Sequence, residues 1–173
     1  MNIGIIGMRM RPQHALYNRK APGLDDIFTW QQQMLESLAK EGHTFLIGCA
    51  DHWDNVAMKW LFYNGYADQI RLVLPFPGFG QRQGEDWVLV RQQLELRKQA
   101  TYLMSEDTGI QGASFKSLMD QRNRRLIQES DAVLWLWDGV QTDAYARIIY
   151  QKKHGWAFPW REHREKYTRL HAQ

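Results

Sequence analysis

The sequence predicts an α/β chain: a Rossmann-like, doubly wound, mostly parallel sheet with helices on both faces. Two patterns carry that expectation. Short apolar runs alternate with longer segments of helical periodicity along nearly the whole chain. The apolar runs are also continuous rather than alternating, as in strands buried on both faces. No repeat, low-complexity tract or Ser/Pro-rich linker interrupts them, so residues 1–160 are read as one domain and 161–173 as a charged tail.

Asn2-Ile-Gly-Ile-Ile-Gly7 is the expected first strand, followed by a polar, Pro/Gly-marked loop through Gly23. Ile27, Trp30, Met34, Leu35 and Leu38 then recur at helical spacing, and Gly42 follows as a C-cap. Thr44 to Gly48 is the second strand. Asp54 to Tyr63 reads as a helix whose apolar stripe is Val56, Ala57, Trp60 and Leu61. Ile70 to Phe76 is a third strand, brought to an end by Pro75. A glycine-rich loop, Pro77 to Gly84, leads into a polar helix from Glu85 to Gln99.

Tyr102 to Ser105 is the expected fourth strand, and Phe115 to Glu129 the next helix. Ala132 to Trp137 is the clearest strand of all, with a turn at Asp138-Gly139 behind it. A helix near Asp143 to Lys153 and a short strand at Trp156 to Phe158 complete the pattern.

Composition narrows the classes. The 173 residues are 44% apolar and 24% charged, ordinary for a globular chain with one core. No run approaches the roughly 18 apolar residues of a membrane span. The amino terminus lacks a long apolar leader, so the expected setting is cytoplasmic, without membrane partners. A single cysteine, Cys49, fits a reducing compartment. The net charge of +3 permits a phosphate-bearing ligand or a weak nucleic-acid contact without requiring either.

In such sheets ligands sit beyond the carboxyl ends of the strands. Gly7 and Arg9 follow the first strand. There a glycine lets backbone approach a ligand and an arginine offers a planar donor fork, although Gly4 and Gly7 do not make a dinucleotide fingerprint. After the second strand come Gly48, Cys49, Asp51, His52 and Asp54. A metal site, a nucleophilic cysteine and a ligand-holding turn compete for this cluster. It has no CxxC or HExxH spacing, so no metal is expected, and no base is identifiable for Cys49. The remaining reading is a turn that holds a ligand at a helix N-terminus, with Asp51 as a helix cap.

On the helix from Phe115, Arg122 projects into the apolar face of Phe115, Leu118, Met119 and Leu126. A charge there must reach a partner or the ligand crevice. Snorkelling, or pairing with Asp120 or Glu129, would also satisfy it. Asn123 flanks this face, and Arg124 and Arg125 are read as solvated. Asp138, Gly139 and Thr142 follow the fifth strand as a turn and a helix N-cap.

Taken in order, these residues resemble a known pattern. Gly48-Cys-Ala-Asp-His-Trp-Asp-Asn-Val-Ala57 is similar to the Gly-Gly-Ala-x-Gly-x-Asp-x-x-Ala motif of the SLOG superfamily. Leu74-Pro-Phe76, Trp87, Gln121-Arg-Asn-Arg-Arg125 and Ser130-Asp-Ala-Val-Leu-Trp-Leu-Trp-Asp-Gly139 resemble its YpsA-like branch, and more distantly DprA-like members. Gly7-Met-Arg9 looks like that family's Gly-x-Arg element. The resemblance runs to about Lys153. It implies a domain that binds nucleotides or nucleotide derivatives through Gly7, Arg9, Gly48, Asp54, Asn123, Asp138 and Gly139.

The departures from the pattern are specific. Cys49 and His52 stand where the motif has glycines, and Gln141 where glycine often precedes Thr142. Pro77-Gly-Phe-Gly80 follows the wrong strand to serve as the Pro-Gly-Gly-x-Gly-Thr signature of the LOG branch, which argues against LOG-type phosphoribohydrolase activity.

The leading expectation is therefore a module that binds a nucleotide or an ADP-ribose-like compound, with no cofactor and no assigned catalytic residue. A nucleoside or nucleotide N-glycosidase working through Asp54 or Asp138 is the first alternative. The second is single-stranded DNA binding through Arg122, Arg124, Arg125 and exposed tryptophans. Rossmann-like chains often pair, so a homo-oligomer belongs among the expected partners.

Overall fold

The computed structural model describes residues 1–7, 23–50, 52–80, 85–136 and 154–158. They form β1 (Asn2–Gly7), α1 (Gly23–Lys40), β2 (Thr44–Ile47), α2 (His52–Tyr63), β3 (Ile70–Leu74), α3 (Asp86–Leu96), β4 (Ala100–Tyr102), α4 (Ala113–Glu129), β5 (Ala132–Leu136) and β6 (His154–Ala157). A single turn of 3-10 helix, Ala67–Gln69, leads into β3. The six strands make one parallel sheet in the order β4-β3-β2-β1-β5-β6. This is the α/β, Rossmann-like, doubly wound arrangement that the continuous apolar runs predict.

Strand side chains alternate between two apolar layers. Ile3, Ile5, Phe45, Ile47, Leu72, Leu74 and Leu134 pack with Ile27 and Leu35 of α1, Met58 and Leu61 of α2, and Val90 and Leu94 of α3. The intervening positions Leu46 and Val73 meet Leu126 of α4, while Val133 and Trp135 meet Ile127. The central strands β1, β2, β3 and β5 are therefore covered on both sides, with α1 to α3 over one face and α4 over the other. Burial of these aliphatic side chains, at roughly 1.5–3 kcal/mol each, is the main force holding the layers together.

Helix ends follow local chemistry. After α1 the chain closes a Schellman motif: Gly42 N–H donates to Ala39 O at 2.9 Å and His43 N–H to Leu38 O at 3.3 Å. Gly42 takes φ +80°, where a side chain would be strained. The end of α3 has the same wiring, Lys98 N–H to Glu95 O and Gln99 N–H to Leu94 O, but there the left-handed position is Lys98, at φ 58°.

Several boundaries differ from those expected. The fourth strand lies earlier, at Ala100–Tyr102 rather than Tyr102 to Ser105. Gln99 accounts for the shift: its amide donates to Ala67 O and Ile70 O, and its carbonyl accepts from Leu72 N–H, drawing the chain into the sheet at once. The second helix starts at His52 and buries Trp53 and Met58 as well as Ala57 and Leu61, because it is wedged between α1 and α3. The fourth helix starts at Ala113, and the last strand is His154–Ala157 rather than Trp156 to Phe158. The expected helix near 143–153 and the tail from 161 fall outside the described residues. Among the described residues no helix is long and apolar enough to cross a membrane.

Candidate functional site

The sheet order fixes where a ligand crevice opens. From β1 the chain winds outward through β2, β3 and β4, then returns by α4 to β5 on the other side of β1. The direction of winding reverses between β1 and β5, so their carboxyl ends, Gly7 and Leu136, flank the topological switch point. Arg9, Asp138, Gly139 and Thr142 follow these two strand ends and lie outside the described residues, as does Asp51. The described part of this rim is the turn from β2 to α2 and the side chains packed upon it.

That turn brings four of the expected residues together. Arg122 reaches from α4 across the sheet face to Gly48, where its Nη1 donates to the carbonyl at 2.6 Å. Its Nη2 donates to Asn123 Oδ1, also at 2.6 Å, and its Nε has no hydrogen-bond partner among the described residues. The side chain is only 3% exposed. A Cβ on Gly48 would collide with the guanidinium, so glycine is needed here to admit the arginine. Burial lowers the Arg122 pKa, and Asp54 opposes that shift through space.

Asp54 occupies the first turn of α2 and is itself buried. Its Oδ2 accepts from Ala50 N–H at 2.7 Å and its Oδ1 from Asn55 N–H at 3.1 Å. The carboxylate thus folds the turn back on the helix start, much as a capping box does, and complements the helix dipole. Beside it, Asn55 Oδ1 is buried without a hydrogen-bond partner. The arrangement is a paired-sign site: a desolvated guanidinium under the strand end and a carboxylate at the adjoining helix start.

Cys49 adopts φ 56°, the left-handed conformation that glycine takes most easily. It therefore has a backbone shape that glycine adopts without strain. Its thiol is buried and points at Met58 Sδ, 3.6 Å away. Burial, reinforced by the nearby Asp54 charge, pushes the thiol pKa well up, the opposite of what a nucleophile needs. Among the described residues no group of His, Cys, Asp and Glu could hold a metal ion. His52, at the helix start, is exposed.

Gly7 faces the other layer. A Cβ there would stand 2.6 Å from Trp53 Cβ, so the indole closes over the end of β1. Trp53 is fully buried and stacks on Trp30, with ring centroids 6.4 Å apart. Gln31 Nε2 donates to Trp53 O at 2.6 Å, tying α1 to the start of α2. Trp53 Nε1 and Gln31 Oε1 are buried without hydrogen-bond partners.

A second buried arginine has no counterpart in the sequence reading. Arg91 of α3 is fully buried, and its Nη1 donates to Phe79 O in the loop after β3. Its Nε forms an ion pair with Glu95 Oε2 at 3.4 Å, although Nε and Nη2 have no hydrogen-bond partner among the described residues; Glu95 Oε1 accepts from Gly78 N–H at 3.1 Å and Tyr102 O–H at 2.9 Å. Pro77-Gly-Phe-Gly80 is thus braced from beneath. The signal was available: Arg91 lies between Val90 and Leu94 on α3, the same kind of placement that singles out Arg122 on α4.

The remaining arginines of α4 differ. Arg125 pairs with Glu129 at 2.8 Å, and Arg124 is exposed. Ser130 and Asp131 work at the opposite edge of the sheet, where Ser130 Oγ donates to Leu126 O and Asp131 accepts from Asn2 N–H. The chain matches no family model and no curated protein.

Proposed function

We propose that this chain is a SLOG-type, YpsA-like module that binds a nucleotide or an ADP-ribose-like derivative along the strand ends beside the β1/β5 switch point. The observation that supports the reading best is Arg122. A guanidinium is costly to bury without a carboxylate bonded to it, yet this one is drawn under the end of β2 with only the neutral acceptors Gly48 O and Asn123 Oδ1 among the described residues. Its field favours negative charge above Gly48, and the start of α2 adds the partial positive charge of a helix N-terminus. Asp54 fixes the turn and leaves a carboxylate near the sugar of a bound nucleotide. Within this reading Arg9, Asp138, Gly139 and Thr142 supply the rest of the crevice from the neighbouring strand ends.

Of the three arginines in the single-stranded DNA alternative, Arg122 is buried, Arg125 is paired with Glu129, and Arg124 is exposed. Burial of the Cys49 thiol, which raises its pKa, speaks against a nucleophilic role.

Thermal unfolding against nucleotides, NAD, ADP-ribose, cyclic dinucleotides and short single-stranded DNA tests the reading, with chromatography of each ligand after incubation. A ligand at 100 times its Kd adds about 2.7 kcal/mol of stability. Stabilisation by a nucleotide recovered intact is the expected result. Recovery of free base, abolished in Asp54→Asn, would make the protein an N-glycosidase instead. Absence of any shift at millimolar concentration would overturn the binding reading.

A further inference from the structure

Beyond β4, on the same rim of the sheet, the loop after Tyr102 and the first turns of α4 leave an open groove of about 490 Å³. Small-molecule sites span roughly 300–1,000 Å³. One wall is aliphatic and thioether: Leu103, Met104 and Ile110. The other is the exposed face of α4, where Ser114, Ser117 and Gln121 stand three and four residues apart and so share one side of the helix. None of the lining residues is ionisable.

The groove lies within reach of the turn described above. Leu118 on its floor precedes Arg122 by one helical turn, about 6 Å along the axis of α4. Across the sheet, the ends of β4 and β2 are two strand spacings apart, about 10 Å. A nucleotide with its anionic part near Gly48 and its length laid over the ends of β2 and β3 would reach the groove with its other end.

We infer that this groove seats the nucleobase of the ligand, an uncharged planar heterocycle of purine size. The inference rests on the nucleotide reading above and assigns the base to one end of the crevice. The chemistry fits a base better than a phosphate. No cation lines the groove to hold an anion, whereas flat aliphatic and thioether surfaces suit a ring face. Two hydroxyls and an amide supply both donors and acceptors for a heterocycle edge.

Isothermal titration of AMP and of ribose 5-phosphate, with wild type and Ser117→Trp, tests this. Position 117 is exposed on the helix, and the indole fills the groove. The expected result is at least tenfold weaker AMP binding by Ser117→Trp, with ribose 5-phosphate affinity unchanged. In wild type alone, nuclear Overhauser contacts should join the purine protons of AMP to the methyl groups of Met104 and Ile110. That measurement decides the matter even if the variant fails to fold. AMP bound equally by both proteins, or purine contacts only to other methyl groups, would overturn the base seat while leaving nucleotide binding intact. Wild type that binds neither compound nor any other nucleotide would overturn both readings.

Discussion

Two buried arginines, each reaching a strand-end loop from its own helix, have been settled in different ways. Arg91 has a carboxylate on its own helix, Glu95, which also takes hydrogen bonds from Gly78 and Tyr102. Charge, loop and strand are joined in one network, as expected of a structural brace. Among the described residues Arg122 has only neutral oxygens as hydrogen-bond acceptors, Gly48 O and Asn123 Oδ1, and it feels Asp54 through space. A guanidinium balanced within its network holds a loop in place. One left partly unbalanced beneath a strand end carries a field that a ligand can complete.

Substitution should separate the two most sharply at Arg91. Arg91→Met leaves the half-buried Glu95 without its counter-charge and unpacks a fully buried side chain, and the expected loss is about 2–3 kcal/mol in denaturant unfolding. Arg122→Met removes a costly buried cation as well as its two hydrogen bonds, so the expected loss is smaller, about 1 kcal/mol, a single hydrogen bond's worth. If both variants lose the same stability, the difference between brace and ligand site disappears.

Steric fit supplies the next test. Gly48→Ala sets a methyl group against the Arg122 guanidinium, with an expected cost of about 2 kcal/mol. Because the clash exists only while the arginine is present, Gly48→Ala with Arg122→Met should cost less than the two separate losses added together. Strict additivity in that double-mutant cycle would contradict the packing described here.

The smallest structural effect is expected at the end of α3. Lys98→Gly relieves a left-handed non-glycine residue and should stabilise the chain by about 0.5–1 kcal/mol by thermal or denaturant unfolding. The brace region also has a pH signature. Burial and the Glu95 charge raise the Tyr102 pKa from 10.0 to about 12, and burial raises that of Cys49 well above 9.0. The folded state therefore keeps protons that the unfolded chain gives up. These contributions are whole below pH 9, and stability should fall as pH climbs from there towards 12. Urea unfolding from pH 7 to 11 measures the slope, and Tyr102→Phe should flatten it.

Much of this was legible in the sequence. Continuous apolar runs fixed a parallel sheet covered on both faces, since Leu46 and Ile47, or Leu72 and Val73, both had to find apolar cover. The angular placement of Arg122 on its helix announced a buried charge with a long reach, and Gly42 announced a C-cap. Other features were hidden because they depend on contacts distant in the chain. Gly7 and Gly48 looked like positions that admit a ligand, yet their missing side chains also make room for Trp53 and Arg122. The placement of Arg91 beside Val90 and Leu94 was readable on α3, but its partners, in the preceding loop and through Glu95 in the following strand, were not. The early start of β4 depended on Gln99 bonding carbonyls some thirty residues earlier.

The most direct measurement is the affinity of ADP-ribose for wild type, Arg122→Met and Arg91→Met, determined by titration calorimetry at a temperature where all three are folded. Binding weakened at least tenfold in Arg122→Met and little changed in Arg91→Met is the predicted result. Equal affinity in wild type and Arg122→Met would contradict it, because the arginine beneath β2 would then be no more than a second brace.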